Sequence, residues 1–215
     1  MKLDLLGESL LLHSEKALIW ERLGILILSD VHLGKAESFQ AAGIPLPSGD
    51  HLLEFQRLEK LIYGNSVRQV YILGDLIHQK SSWSAELLKD LQAFFRKHED
   101  IHWHLIIGNH ERGSVEFLKT LKIDLHEEDL EQGPFVFTHG HKQHKSSLFE
   151  IRGHIHPRIH LQQGPLRLNL PCFWLEKERL TLPSFGLLTG GYKIKPQKTD
   201  RIWGVGENEV FEIPR

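Results

Sequence analysis

Four short apolar runs punctuate the first two-thirds of the chain: Ile25–Leu28, Val70–Leu73, Leu105–Ile107 and Phe135–Phe137. Each is rich in β-branched or aromatic residues and is followed by turn chemistry, which predicts interior strands. Between them the period changes to that of a helix. Asp50 to Tyr63 sets Leu52, Leu53, Phe55, Leu58, Leu61 and Ile62 near helical spacing, and Ser84 to Lys97 does the same with Leu87, Leu88, Leu91, Phe94 and Phe95. Ser84 or Ser82 is placed to cap the latter, and Ser114 to Leu121 is a shorter candidate. Such alternation implies a sheet with right-handed crossovers and one ligand-binding edge at the carboxyl ends of its strands. From about Gly133 the helical period fades, and Leu166–Leu168, Leu180–Leu182 and Val210–Ile213 alternate with Gly and Pro, which reads as a second, mostly antiparallel sheet. Ala17–Trp20 is expected as an edge strand or a hairpin partner of the first core strand. No repeat or linker divides the chain, so residues 1–215 are expected to form one α/β domain.

The residues immediately after these apolar runs change the picture. The first run ends in Ser29-Asp30-Val31-His32, the second in Gly74-Asp75, the third in Gly108-Asn109-His110-Glu111 and the fourth in Thr138-His139-Gly140-His141. A buried strand that repeatedly ends in metal-type side chains is a pattern, and histidine is abundant, with 15 in 215 residues. The single cysteine, Cys172, excludes an internal disulfide framework and a thiolate cluster within one chain, so any metal ligands must be nitrogen and oxygen. A formal net charge of −2 argues against a large basic surface for gripping duplex nucleic acid. The opening MKLDLLGESL lacks the features of a signal peptide, and no apolar run approaches membrane-spanning length, so the protein is expected to be soluble and cytoplasmic, without a membrane partner.

A fifth element, Gly153-His154-Ile155-His156, separates two histidines by one residue, so that on an extended segment both imidazoles share a face. Taken in order, Asp30-x-His32, Gly74-Asp75, Gly108-Asn109-His110-Glu111, His139 and Gly153-His154-x-His156 resemble the calcineurin-like metallophosphoesterase family. That resemblance implies two packed mixed β-sheets flanked by helices, an αββα sandwich. It also implies two divalent metals, the first held by residues matching Asp30, His32 and His156 and the second by Asn109, His139 and His154, with Asp75 bridging. Oxygen and imidazole ligands suit manganese, with iron or zinc as alternatives. His110 matches a family residue that is not a ligand and that stabilises developing charge or protonates the leaving oxygen.

Each block has a plainer reading when it stands alone. Asp30-x-His32 suits a solvated loop, Gly74-Asp75 a turn, Asn109-His110 a helix cap, and the remaining histidines polar loops or solvent-facing strand positions. It is their joint occurrence at strand ends that favours the metal centre. Two longer stretches, HLGKAESFQAAGIPLP and LPCFWLEKERLTLPSFGLLTGG, are similar to the DNA-ligase-associated metallophosphoesterases, bacterial proteins encoded beside an ATP-dependent DNA ligase, a DEXH-box helicase and a predicted exonuclease. This narrower resemblance implies a manganese-dependent phosphodiesterase or nuclease acting on single-stranded DNA in repair. A phosphodiesterase for cyclic nucleotides or a phosphomonoesterase is the alternative enzyme, and a scaffold without metals the non-enzymatic one. Lys35, His78, Arg112 and His141 are candidates for substrate contact, although solvated surface positions would read the same way. The segment Gly43–Pro47 is expected as a stiff, packed loop near the site, Trp174 as a packing residue of the second sheet, and Lys142, Lys145, Lys193, Lys195, Lys198 and Arg201 as a shallow path for a phosphate backbone or as solvated positions.

Overall fold

The computed structural model describes residues 1–47, 49–79 and 83–214, and leaves the side chains of Arg112, Gln163 and Leu166 undescribed. The first sheet has strands β1 (Lys2–Leu5), β2 (Glu8–His13), β3 (Ala17–Trp20), β4 (Ile25–Leu28), β5 (Gln69–Ile72), β6 (His102–Ile106) and β7 (Asp124–His126), in sequence order across the sheet. The hairpins β1 to β4 are antiparallel, whereas β4 to β7 run parallel, as helical crossovers require. Ala17–Trp20 is therefore the hairpin partner of β4, with β2 on its other side. The crossovers carry α1 (Lys35–Ala41), α2 (Asp50–Gly64), α3 (Ala85–Lys97) and the short α4 (Val115–Leu118). At the start of α3 the Ser84 side chain accepts a hydrogen bond from the Leu87 amide, the expected cap. Ser82, the other candidate, lies outside the described residues.

The second sheet holds β8 (Leu130–Gln132), β9 (Phe135–Thr138), β10 (Phe149–Arg152), β11 (Pro157–Gln163), β12 (Leu166–Leu175), β13 (Arg179–Thr181), β14 (Tyr192–Lys193), β15 (Arg201–Val205) and β16 (Val210–Glu212). It is antiparallel except where β10 lies parallel to both β9 and β13 and where β11 meets β14. One core lies between the sheets, joining Trp20, Ile27, Tyr71 and Ile106 to Phe135, Phe137, Phe173 and Trp203. A second core lies between the first sheet and its helices, with Leu26, Val70 and Leu105 against Phe55, Leu58, Leu91 and Phe95. The strict two-residue alternation places Trp103 and Leu105 in that helix-facing core and turns His102 outward and His104 onto Tyr71.

The two mixed sheets stand as expected, while the described helices all lie on the first one. The outer face of the second sheet carries a small apolar cluster of Cys172, Ile194 and Ile202, with Trp174 packed on it and its indole N–H donating to Asp200. No described helix is long and apolar enough to cross a membrane. The Gly43–Pro47 segment corrects an expectation: its backbone runs exposed, with Ile44 48% accessible. Its prolines stiffen it without bringing it into a core. Arg201 also departs from the expected phosphate path, since its guanidinium is committed to Glu212 and covers Trp203.

Candidate metal centre

Five chain crossings converge at the carboxyl ends of β4, β5, β6, β9 and β10. Asp30 and His32 follow β4, Asp75 follows β5, Asn109 and His110 follow β6, His139 follows β9, and His154 and His156 follow β10. The first two turns are tied together by main-chain bonds from Asp30 N to Gly74 O (3.1 Å) and from His32 N to Asp75 O (2.9 Å). Asp30, His32, Asp75, His154 and His156 all take left-handed backbone conformations, with φ between 48° and 74°. Such a φ costs a non-glycine residue about 1–3 kcal/mol and persists where the surrounding fold over-determines it, typically at a functional site. The neighbouring glycines make room. A Cβ on Gly108 would lie 2.3 Å from Asp75 Oδ1, and one on Gly74, itself at φ +79°, would lie 2.3 Å from His139 Nδ1.

Two sets of donors result. Ligand atoms of Asp30, His32 and His156 lie within 4.8 Å of one another, and so do those of Asp75, His139 and His154. Asn109 joins the second set, its Oδ1 3.1 Å from His139 Nε2, which is in turn 3.1 Å from His154 Nδ1. Asp75 Oδ2 lies between the sets, 3.8 Å from His32 Nε2 and 3.4 Å from His139 Nε2. Both nitrogens of His32 are buried without a hydrogen-bond partner among the described residues, and Asp30 Oδ1 and His156 Nε2 face each other at 3.1 Å. Buried polar atoms left without partners are expensive. Lone pairs spaced about 3 Å apart are what neighbouring ligands on one cation present. The donor set therefore fits two divalent ions.

The electrostatics agree. Burial would lift the Asp30 carboxyl, but the hydrogen bond and charge of His156, with His139 behind it, hold it below the ordinary carboxylate range. Burial acts in the same sense on Asp75, yet His139, His32 and His110 bring it down to about 2. His139 is drawn upward against its own burial by Asp75 and Asp30, while burial, aided by the charges of His156 and Lys35 and opposed by Asp30 and Asp75, drives His32 down to about 3. The field that attracts a proton to His139 equally favours a multivalent cation between the two carboxylates.

His110 sits at the rim, its side chain 31% exposed, with Nε2 3.8 Å from Asp75 Oδ2. Its Nδ1–H donates to the His78 carbonyl, since a carbonyl can only accept, and this leaves Nε2 as the atom free to hold or move a proton. The His78 ring stacks on His110 and burial lowers it to about 4; His141, 5.1 Å from His139 between ring centres, is likewise lowered to about 4 by burial. Lys35, the first residue of α1, is half-buried, and burial lowers its pKa against the pull of Asp30. Lys35, His78 and His141 thus border the centre, whereas the Arg112 side chain lies outside the described residues.

Two supports of the centre have no signature in local sequence. Glu111, fully buried, accepts main-chain hydrogen bonds from Asp75, Ile77 and Gly108, so one carboxylate braces two of the turns. Burial and the Asp75 charge push its pKa up, and the three amides oppose the rise. The second support is residues 184–187. Ser184 Oγ and Gly186 N both donate to Asp30 O, and Phe185 N donates to Ser29 O. From the opposite side Lys16 donates to Gly186 O, Arg57 to Phe185 O, and Leu187 N to the carboxylate of Glu54.

Glu54 makes this strap sensitive to pH. Burial pushes its carboxyl from near 4.5 up to about 7, against the pull of Arg57 and Lys16. A raised folded value means that the protonated form contributes stability below the unfolded value, and that this contribution is lost as pH rises through the folded one. Between pH 5 and pH 8 the wild type should lose roughly 2–3 kcal/mol that Glu54→Gln retains, because the amide keeps an oxygen for Leu187 N. Urea melts of both proteins at the two pH values check this, and parallel pH slopes would refute it.

The model of the calcineurin-like phosphoesterases matches residues 23–202. The chain belongs to this family. As a calcineurin-like phosphoesterase it is a metal-dependent hydrolase of phosphoesters, and the family implies a dinuclear divalent site at the Asp and His clusters described above. Among solved structures, nuclease MPE of Pseudomonas putida is 28% identical, with 99% of each chain covered and a TM-score of 0.81. YfcE, a phosphoesterase from E. coli, is 15% identical over 88% of this chain and 97% of its own, with a TM-score of 0.45. No curated protein matches.

Proposed function

We propose that this phosphoesterase is a manganese-dependent phosphodiesterase that cuts single-stranded DNA internally, in DNA repair. The observation that carries the nuclease reading is the full-length likeness to the Pseudomonas putida nuclease, at 28% identity. The near-neutral charge supports a single strand over a duplex, and the resemblance of the two longer stretches to the ligase-associated proteins supports the repair setting, beside a DNA ligase, a DEXH-box helicase and an exonuclease. Asp30, His32 and His156 would hold one cation, Asn109, His139 and His154 the other, and Asp75 would serve both. Two such cations supply Lewis acidity to the scissile phosphate and to the water that attacks it. His110 Nε2, on the open rim, holds the proton that the departing oxygen takes, and the His78 carbonyl keeps the ring in that orientation. Asp75 Oδ1 accepts from the His110 amide, which couples the acid to the bridging carboxylate. Lys35, His78 and His141 line the approach of the phosphate backbone, with Arg112 two residues after His110 in sequence.

The test incubates manganese-loaded protein with circular single-stranded DNA, beside a His110→Ala sample. Linear fragments from the wild type alone are expected. Intact circles, together with hydrolysis of a cyclic nucleotide under the same conditions, would replace the nuclease reading with that of a small-molecule phosphodiesterase.

A further inference from the structure

Away from the dinuclear centre, α1 and the first turn of α2 bring together Glu37, Asp50 and His51, whose potential ligand atoms lie within 4.8 Å of one another. His51 is only 1% exposed, although it is the second residue of its helix. Its Nε2 lies 3.1 Å from Asp90 Oδ2 on α3, and Phe55 packs against the ring. The other nitrogen, Nδ1, is buried without a hydrogen-bond partner among the described residues and points at Glu37, 3.9 Å from Oε1. Glu37 Oε2 and Asp50 Oδ1 are also buried and without hydrogen-bond partners among the described residues.

A proton on Nδ1 would not resolve this arrangement, because 3.9 Å is too long for a hydrogen bond and the two carboxylate oxygens would stay unpaired. A single cation between the three side chains would meet a ligand atom from each of them. An imidazole that donates one N–H to a carboxylate and turns its other nitrogen into a cluster of oxygens has the arrangement found behind metal-bound histidines. We propose that Glu37, Asp50 and His51 form a third cation site, taking a divalent ion of the zinc or manganese class, with Asp90 orienting His51. Two carboxylates and one imidazole are the donor set such ions accept. The first-turn amides of α2 oppose a cation there, and the two carboxylate charges offset them. The site shares no residue with the dinuclear centre. An ion here would join α1, α2 and, through Asp90, α3, and would pin both ends of the exposed connection that includes Gly43–Pro47.

Zinc counted by mass spectrometry on dialysed, zinc-loaded full-length protein tests the site. Wild type should carry one zinc ion more per chain than either Glu37→Gln or Asp50→Asn. Equal content in all three would overturn the proposal. In an Asp75→Asn background, which disables the main centre, zinc should still raise the melting temperature, and the rise should disappear when Glu37→Gln is added. A rise that survives Glu37→Gln overturns the third site. If the background variant and the wild type both carry one ion that depends on Glu37, the third site stands and the dinuclear reading fails.

Discussion

Asp75→Ala should lose both metals and all hydrolysis above background. Its Oδ2 stands between His32 and His139, so truncation removes a carboxylate that reaches both donor sets. Even residues that only orient a ligand cost 10–100-fold in metal affinity, so loss of at least ~100-fold is expected for a bridging one. A further consequence is structural, because Asp75 Oδ1 holds the His110 amide. Asp75→Asn separates the effects: it keeps an oxygen for that amide while removing the charge, and should fold like the wild type yet bind metal far more weakly. Metal content measured after dialysis decides the matter. Two ions retained by Asp75→Ala would show that the carboxylate does not bridge.

His110→Ala should behave in the opposite manner, keeping both metals while kcat falls by ~10²–10⁴, the range for loss of a general acid. None of the atoms in the two donor sets belongs to this residue, and its Nε2 lies on the rim, not among the buried orphan atoms. Unchanged turnover would remove His110 from the mechanism, and lost metal would make it a ligand.

The strand ends were legible because burial and chemistry change within one or two residues: Ile25–Leu28 is wholly buried, and Asp30 and His32 come directly after it. The same holds for His139 after Phe135–Thr138. Both long helices were legible from their apolar faces, which meet the first sheet as their spacing requires. The β1–β2 hairpin was missed because its strands are short and only partly apolar. Glu111 belongs to the Gly108–Glu111 motif, but nothing nearby reveals that its carboxylate braces the turns at Asp75 and Gly108. The contact of Ser184 with Asp30 spans 154 residues, which no spacing rule can reach. The burial of His51 has no local sequence signal, since it is decided by how α1 and α3 close over α2. Gly43–Pro47 failed for the converse reason: apolar composition does not bury a segment unless an element lies over it.

The strap at residues 184–187 also bears on how the protein is made. A chain emerging from the ribosome folds from its amino end, and β1 to β7 pair in sequence order, so the first sheet can form early. Asp30, however, lends its carbonyl to Ser184 and Gly186, and its neighbours His154 and His156 also come late in the chain. Nascent chains of the first 140 residues therefore carry the early ligands without a working centre. The phosphoesterase centre is completed last, when the carboxyl-terminal third closes over the amino-terminal sheet, and truncated products of translation lack it.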